Sequence, residues 1–255
     1  MFAKERQEKI CSLLEQKPSV TVNELVHLFE VSIETVRRDL FFLEQQGCLK
    51  RVHGGAVAPG SSHRMERLER RLEENMEQKR ELSCAAAGLL REGDVIAVDS
   101  GSTAVAFARV LKERFRNLTV ITHSLDVFQI LSDALHPILC GGEFLKSENA
   151  FYGELTCSSL ARFHVAKAFV FPSAVSVSYG VMDYLLPLIP VQKAIAGMGD
   201  QVLVLADSGK FETTALMKVT DLSEQMLFVT DSQLAPEIAD LYQKKNITVL
   251  TGGEL

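Results

Sequence analysis

Seven short apolar runs, spread through residues 93–255 with helical stretches between them, constrain this chain more than any other feature. They are Val95–Val98, Leu118–Ile121, Pro137–Leu139, Ala168–Phe171, Val202–Leu205, Leu227–Val229 and Ile247–Leu250, and several are rich in β-branched residues. Continuous apolar runs of this length suit strands buried on both faces, and helices between such strands produce parallel pairing. The expected fold class is therefore α/β, with a doubly wound sheet. In such sheets ligands sit outside the carboxyl ends of the strands.

Residues 1–58 carry a different pattern. Ile10, Leu13 and Leu14 make 4–16 an amphipathic helix, which Lys17-Pro18-Ser19 should end. Thr21-Val22-Asn23-Glu24 has the form of a capping box, opening a helix that buries Leu25, Val26 and Phe29. Ser32 is a suitable N-cap for a third helix running to about Gln46, with Gly47 at its C′ position. Val36, Leu40 and Leu43 form the buried stripe of that helix, leaving Glu34, Thr35, Arg37 and Arg38 off it. Leu49–Val57 alternates and turns around Gly54-Gly55, which reads as a small hairpin.

This pattern suits a winged helix-turn-helix, or an ordinary three-helix subdomain whose arginines are merely solvated. Ser32, Glu34, Thr35, Arg37 and Arg38 are the candidates for reading the major groove of double-stranded DNA. Lys50, Arg51 and His53 would lie on the wing beside the sugar-phosphate backbone. Net charge does not carry the reading. The chain has a net charge of −6, and its first sixty residues balance eight Lys/Arg against eight Asp/Glu. What matters is where the cations cluster, and four of the eight fall at Arg37-Arg38 and Lys50-Arg51.

Pro59, Gly60, Ser61 and Ser62 mark a boundary. The organisation expected is a DNA-binding domain over 1–58, a linker over 59–75 and an α/β sensing and oligomerisation domain over 76–255. A helix is expected from Met65 to Leu90, densely charged at first and Ala-rich from Leu82. No apolar stretch reaches the ~20 residues that span a bilayer. The N-terminus has no apolar signal core, so a cytoplasmic location without membrane contact is expected. The five cysteines are scattered and never spaced CxxC, so no metal site or disulfide framework is expected. The glycine patterns match neither GxGxxG nor a P-loop, and no cofactor is expected.

Small polar residues gather after the expected strands: Asp99-Ser100-Gly101-Ser102-Thr103, Thr122-His123-Ser124, Cys140-Gly141-Gly142-Glu143 and Asp207-Ser208-Gly209-Lys210-Phe211. Hydroxyls, glycines and helix N-termini favour an anion, and Lys210 adds a cation at the same rim. A phosphate-bearing ligand is the expectation.

The segment Val31–Leu40, with Leu43-Glu44, Gly47 and Arg51–Ala56, resembles the N-terminal signature of the DeoR family of bacterial repressors over most of residues 5–57. The second half is similar to the effector domain of that family, which shares its fold with ribose-5-phosphate isomerase. The matching segments are Asp99–Thr103, Thr122–Ser124, Gly141-Gly142, Gly153 and Leu205–Phe211. The resemblance implies a homo-oligomeric repressor of a carbohydrate operon, released or modulated by a phosphorylated sugar. Asp99, Ser100, Gly101, Ser102, Thr103, Thr122, His123, Ser124, Gly141, Gly142 and Lys210 are the candidates for the effector site.

The chain departs from the family pattern in several places. His123 stands where Asn is usual and Ala104 where a third hydroxyl would be. Ala166 replaces the aspartate that usually precedes Lys167, and Phe171–Ser176 replaces a glycine-rich turn. Phe41-Phe42 stands where a charged residue is more usual, and suits contact with a partner subunit or the second domain. Two alternatives stand beside this reading: an isomerase-like enzyme using Asp99, Asp207 and Lys210, and a regulator that has lost effector binding.

Overall fold

The computed structural model describes residues 3–16, 19–46, 48–52, 55–57 and 68–252. The chain divides into two compact units, Met1–Met65 with Thr214–Leu216, and the remainder.

The first unit contains α1 (Ala3–Gln16), β1 (Ser19–Thr21), α2 (Val22–Phe29), α3 (Ile33–Gln45), β2 (Lys50–Val52) and β3 (Gly55–Val57). Both caps expected from the sequence form. The Thr21 side chain accepts from the Glu24 amide while the Glu24 carboxylate accepts from the Thr21 amide. Ser32 accepts from the Thr35 amide. Gly47, Lys17 and Pro18 lie outside the described residues.

Ile10, Leu14, Leu25, Phe29, Val36, Leu40 and Leu43 close one core between the three helices. The wing is three-stranded, in the order β1-β3-β2, because the segment before α2 adds a strand that periodicity did not reveal. Gly55 is needed there, since a Cβ would meet the Val20 carbonyl at 2.1 Å. Arg6 and Asp39 join α1 to α3 as an ion pair of 2.5 Å with side chains 8% and 5% exposed. Gln7 donates to the second Asp39 oxygen at 3.0 Å.

The second unit begins with α4 (Leu68–Glu73) and α5 (Met76–Gly88). The single helix expected over 65–90 is thus two helices, broken where Asn75 turns to a left-handed φ of 49°. Then follow β4 (Val95–Val98), α6 (Ser102–Arg114), β5 (Thr119–Thr122), α7 (Leu125–Leu131), β6 (His136–Leu139), β7 (Glu143–Leu145), β8 (Ala150–Tyr152), α8 (Glu154–Leu160) and β9 (Val165–Val170). The chain continues with β10 (Ala174–Ser176), β11 (Gly180–Asp183), α9 (Ile189–Met198), β12 (Gly199–Leu205), β13 (Met217–Thr220), β14 (Met226–Thr230), α10 (Pro236–Gln243) and β15 (Thr248–Thr251).

Each of the seven expected runs overlaps a strand of one parallel sheet, ordered β15-β14-β12-β9-β4-β5-β6. Each central strand is buried on both faces. Ile96, Val98, Phe169, Leu203 and Leu205 pack against α5, α6 and α7, while Ala97, Ala168, Val170 and Val204 pack toward α9 and α10. Two short antiparallel groups, β7-β8 and β10-β11-β13, were not anticipated.

The strand order fixes where a ligand belongs. From β4 the chain winds outward to β5 and β6, then returns to β9 on the other side of β4 and winds outward again. The loops leaving β4 and β9 diverge, which opens a crevice at the carboxyl ends of this pair.

Candidate functional site

In the first unit, α3 presents Glu34, Arg37 and Arg38 to solvent, with Thr35 partly covered. Arg37 pairs with Glu34 at 3.1 Å, both well exposed. Arg38 has no hydrogen bond or ion pair among the described residues. Ser32 is committed to capping, and its Oγ also lies 2.9 Å from Thr35 Oγ1. On the wing, the Arg51 guanidinium is held by Glu44 at 2.8 Å and lies 5.1 Å from the centroid of the Phe41 ring. Phe41 and Phe42 remain 50% and 47% exposed. Lys50 lies in β2, and His53 is outside the described residues.

In the second unit, Ser100, Gly101, Ser102, Thr103 and Lys210 line one cavity at the crevice. The loop is shaped by Gly101, whose φ of 107° is open to glycine and strained for other residues. Residues 102–104 open α6, so their amides have no intrahelical acceptor and their partial charge favours an anion. Lys210, on a 3₁₀ turn after β12, donates to the Pro172 carbonyl at 3.0 Å and lies 3.7 Å from Asp207. Pro172, which has no amide N–H to donate, thus contributes an acceptor that aims the lysine.

The other expected residues support this wall rather than line the cavity. Asp99 and His123 are both fully buried. Asp99 Oδ1 meets His123 Nε2 at 2.9 Å, and Asp99 Oδ2 accepts from the Phe171 amide at 3.4 Å. His123 Nδ1 lies 2.7 Å from the Phe151 carbonyl. Both ring nitrogens therefore face oxygen atoms of the protein. Thr122 accepts from the Ser124 amide, and Ser124 caps α7. Gly142 packs where a Cβ would meet Thr156 Oγ1 at 2.2 Å, and Gly141 is exposed. None of Thr122, His123, Ser124, Gly141 and Gly142 borders this cavity. Lys167 lies in β9 and pairs with Asp94 at 3.8 Å.

Sequence reasoning missed the groups that complete the site. Arg71 from α4 and Glu148 from the β7-β8 turn form an ion pair at the cavity. Burial, and the neighbouring carboxylates of Asp183 and Asp99, push the Glu148 carboxyl upward against the pull of Arg71. Gln192 from α9 and Asp183 at the end of β11 also line the cavity. At the α4–α5 corner Lys79 is buried and donates to the Arg71 and Glu74 carbonyls at 2.5 and 2.6 Å. Burial and, after it, the charge of Lys210 lower its pKa to about 8. Asn75 reaches Asp207 at 3.4 Å, so the corner is fastened to the same turn that carries Lys210. No grouping of His, Cys, Asp and Glu suited to a metal occurs among the described residues. None of the described helices is long and apolar enough to cross a membrane.

Residues 6–62 match the model of the DeoR-like helix-turn-helix domain, and residues 74–232 match that of the DeoR C terminal sensor domain. The HTH-type transcriptional regulator GolR of Listeria innocua is 30% identical over 98% of this chain and 98% of its own length. The transcriptional repressor AccR of Agrobacterium fabrum is 31% identical over 89% of each. The lactose phosphotransferase system repressor of Lactococcus lactis is 31% identical over 93% of this chain and 94% of its own. Among solved structures, ribose 5-phosphate isomerase A of Methanocaldococcus jannaschii is similar with a TM-score of 0.42, at 19% identity, over 54% of this chain and 55% of that one. With both family models matched and relatives aligned over nearly the whole length, the chain belongs to the DeoR family of transcriptional regulators.

Proposed function

We propose that this protein represses transcription of a carbohydrate-use operon and that a phosphorylated sugar, bound at the β4–β9 crevice, modulates its grip on operator DNA. The observation that carries the effector reading is the pairing of the Ser100–Thr103 loop with Lys210 across one cavity. Three orphan helix amides, two serine hydroxyls and an aimed ammonium suit a phosphate group. Arg38, exposed on α3, suits a base or phosphate contact. A homodimer or tetramer would match paired half-sites, since protein symmetry maps onto operator symmetry. The names of the relatives support a regulator rather than an isomerase.

A second reading, a regulator without an effector, is favoured by the size of the cavity. It measures about 20 Å³, room for roughly one water.

The two readings separate in a thermal-shift titration of the full chain with sugar phosphates, the parent sugars serving as controls. The effector reading expects stabilisation that requires the phosphate and is lost in Lys210→Ala. Equal shifts in parent and variant would move the site elsewhere, and a flat response would favour the second reading.

A further inference from the structure

Gln192 decides what the rest of the cavity can recognise. Its side chain is 4% exposed, and its amide nitrogen donates to Asp99 Oδ2 at 3.3 Å and to Asp183 Oδ2 at 3.0 Å. Carboxylates only accept, so the amide is fixed in this orientation. Asp183 is itself pinned, its other oxygen accepting from Ser173 Oγ and from the amides of Tyr184 and Leu185. Both amide hydrogens of Gln192 are thereby committed, and its Oε1 has no donor among the described residues. Glu148, 1% exposed, is similar: Oε2 takes Arg71 and Oε1 has no donor. The Thr103 hydroxyl, 2% exposed on the same cavity, is also without a partner. Buried acceptors left without donors are costly, so a ligand that donates to them gains by filling them.

We infer that Gln192 Oε1 and Glu148 Oε1 read hydrogen-bond donors on the non-phosphate part of the effector, and that this end rejects a carboxylate. The effector is then an aldose, ketose, polyol or amino-sugar phosphate, and a phosphorylated sugar acid is excluded. Asp99, Asp183 and Glu148 set three carboxylates around the one guanidinium of Arg71, and a fourth carboxylate would meet two acceptors with nothing to donate. This inference rests on the sugar-phosphate reading above.

The test is a binding titration of the full chain with inorganic phosphate and with ligands that share a carbon skeleton. These are glucose 6-phosphate, glucosamine 6-phosphate and 6-phosphogluconate, then ribose 5-phosphate and 5-phosphoribonate. In at least one skeleton the uncharged or amino form should bind at least about tenfold tighter than both its sugar acid and inorganic phosphate. The glucose and glucosamine arms separate hydroxyl from ammonium donors. Glu148→Gln keeps an acceptor for Arg71 and turns an amide donor into the cavity, so it should narrow that ratio. A sugar acid that binds the parent as tightly as its aldose overturns this inference and leaves the phosphate reading standing. So does a ratio unmoved by Glu148→Gln. No binding of phosphate or of any phosphorylated ligand overturns both.

Discussion

His123 Nε2 lies 2.9 Å from Asp99 Oδ1, and neither side chain has any exposure to solvent. The pair holds the β4 and β5 loops together behind the cavity, and through its other oxygen Asp99 anchors Phe171 and Gln192. Removing the ring leaves Asp99 Oδ1 and the Phe151 carbonyl buried without that partner. His123→Ala should therefore destabilise the sensor unit by about 3–5 kcal/mol in urea unfolding. A loss below about 1 kcal/mol would show that the ring and its two contacts contribute little there.

Arg38 stands on the exposed side of α3 without an internal partner among the described residues. If it reads a base, Arg38→Ala should cost ~1–3 kcal/mol at a cognate operator and less on random sequence. Anisotropy titrations at several salt concentrations decide this. A uniform loss with a shallower salt slope would instead make Arg38 a phosphate contact.

Arg51 is held against the Phe41 ring at 5.1 Å and by Glu44 at 2.8 Å. The exposed ring contact is worth about 0.5–1 kcal/mol, so its main effect is to preset the wing. Phe41→Ala should weaken operator and random DNA together, by about two- to fivefold. A loss confined to the operator would place Phe41 at the bases.

Lys79 adds a pH dependence. With its pKa lowered to about 8, it loses charge above that pH in the ligand-free protein. A nearby phosphate favours the charged form and raises that pKa, so binding takes up protons. Calorimetry in two buffers should show effector affinity falling as pH rises past about 8, and Lys79→Gln should flatten the profile. The stability effect has the opposite sign. The unfolded chain holds more protons between about pH 8 and the ordinary lysine value, so this group favours folding more as pH rises through that window. A parent whose effector affinity is level across that window would put the phosphate out of reach of Lys79.

The sequence by itself determined the winged helix-turn-helix and the seven-stranded parallel sheet. Capping boxes, helical stripes and apolar runs such as Val202–Leu205 are local signals, written within a few residues of the structure they specify. It also located a loop that lines the cavity, since Ser100–Thr103 follows a strand and opens a helix within five positions. Strands β10, β11 and β13 escaped notice because three or four residues carry too little periodicity, and the pairing of β11 with β13 joins segments about forty residues apart. Only the tertiary structure decided what else lines the cavity. Arg71, Glu148, Asp183 and Gln192 come from four separate elements and have no shared spacing, so no local pattern could group them. The same holds for His123. Its motif pointed to the cavity, but Asp99 and the Phe151 carbonyl, 24 and 28 residues away, hold both ring nitrogens behind the wall. A side chain turns toward whichever partners satisfy it, and those partners are set by how the chain crosses over the sheet rather than by its immediate neighbours.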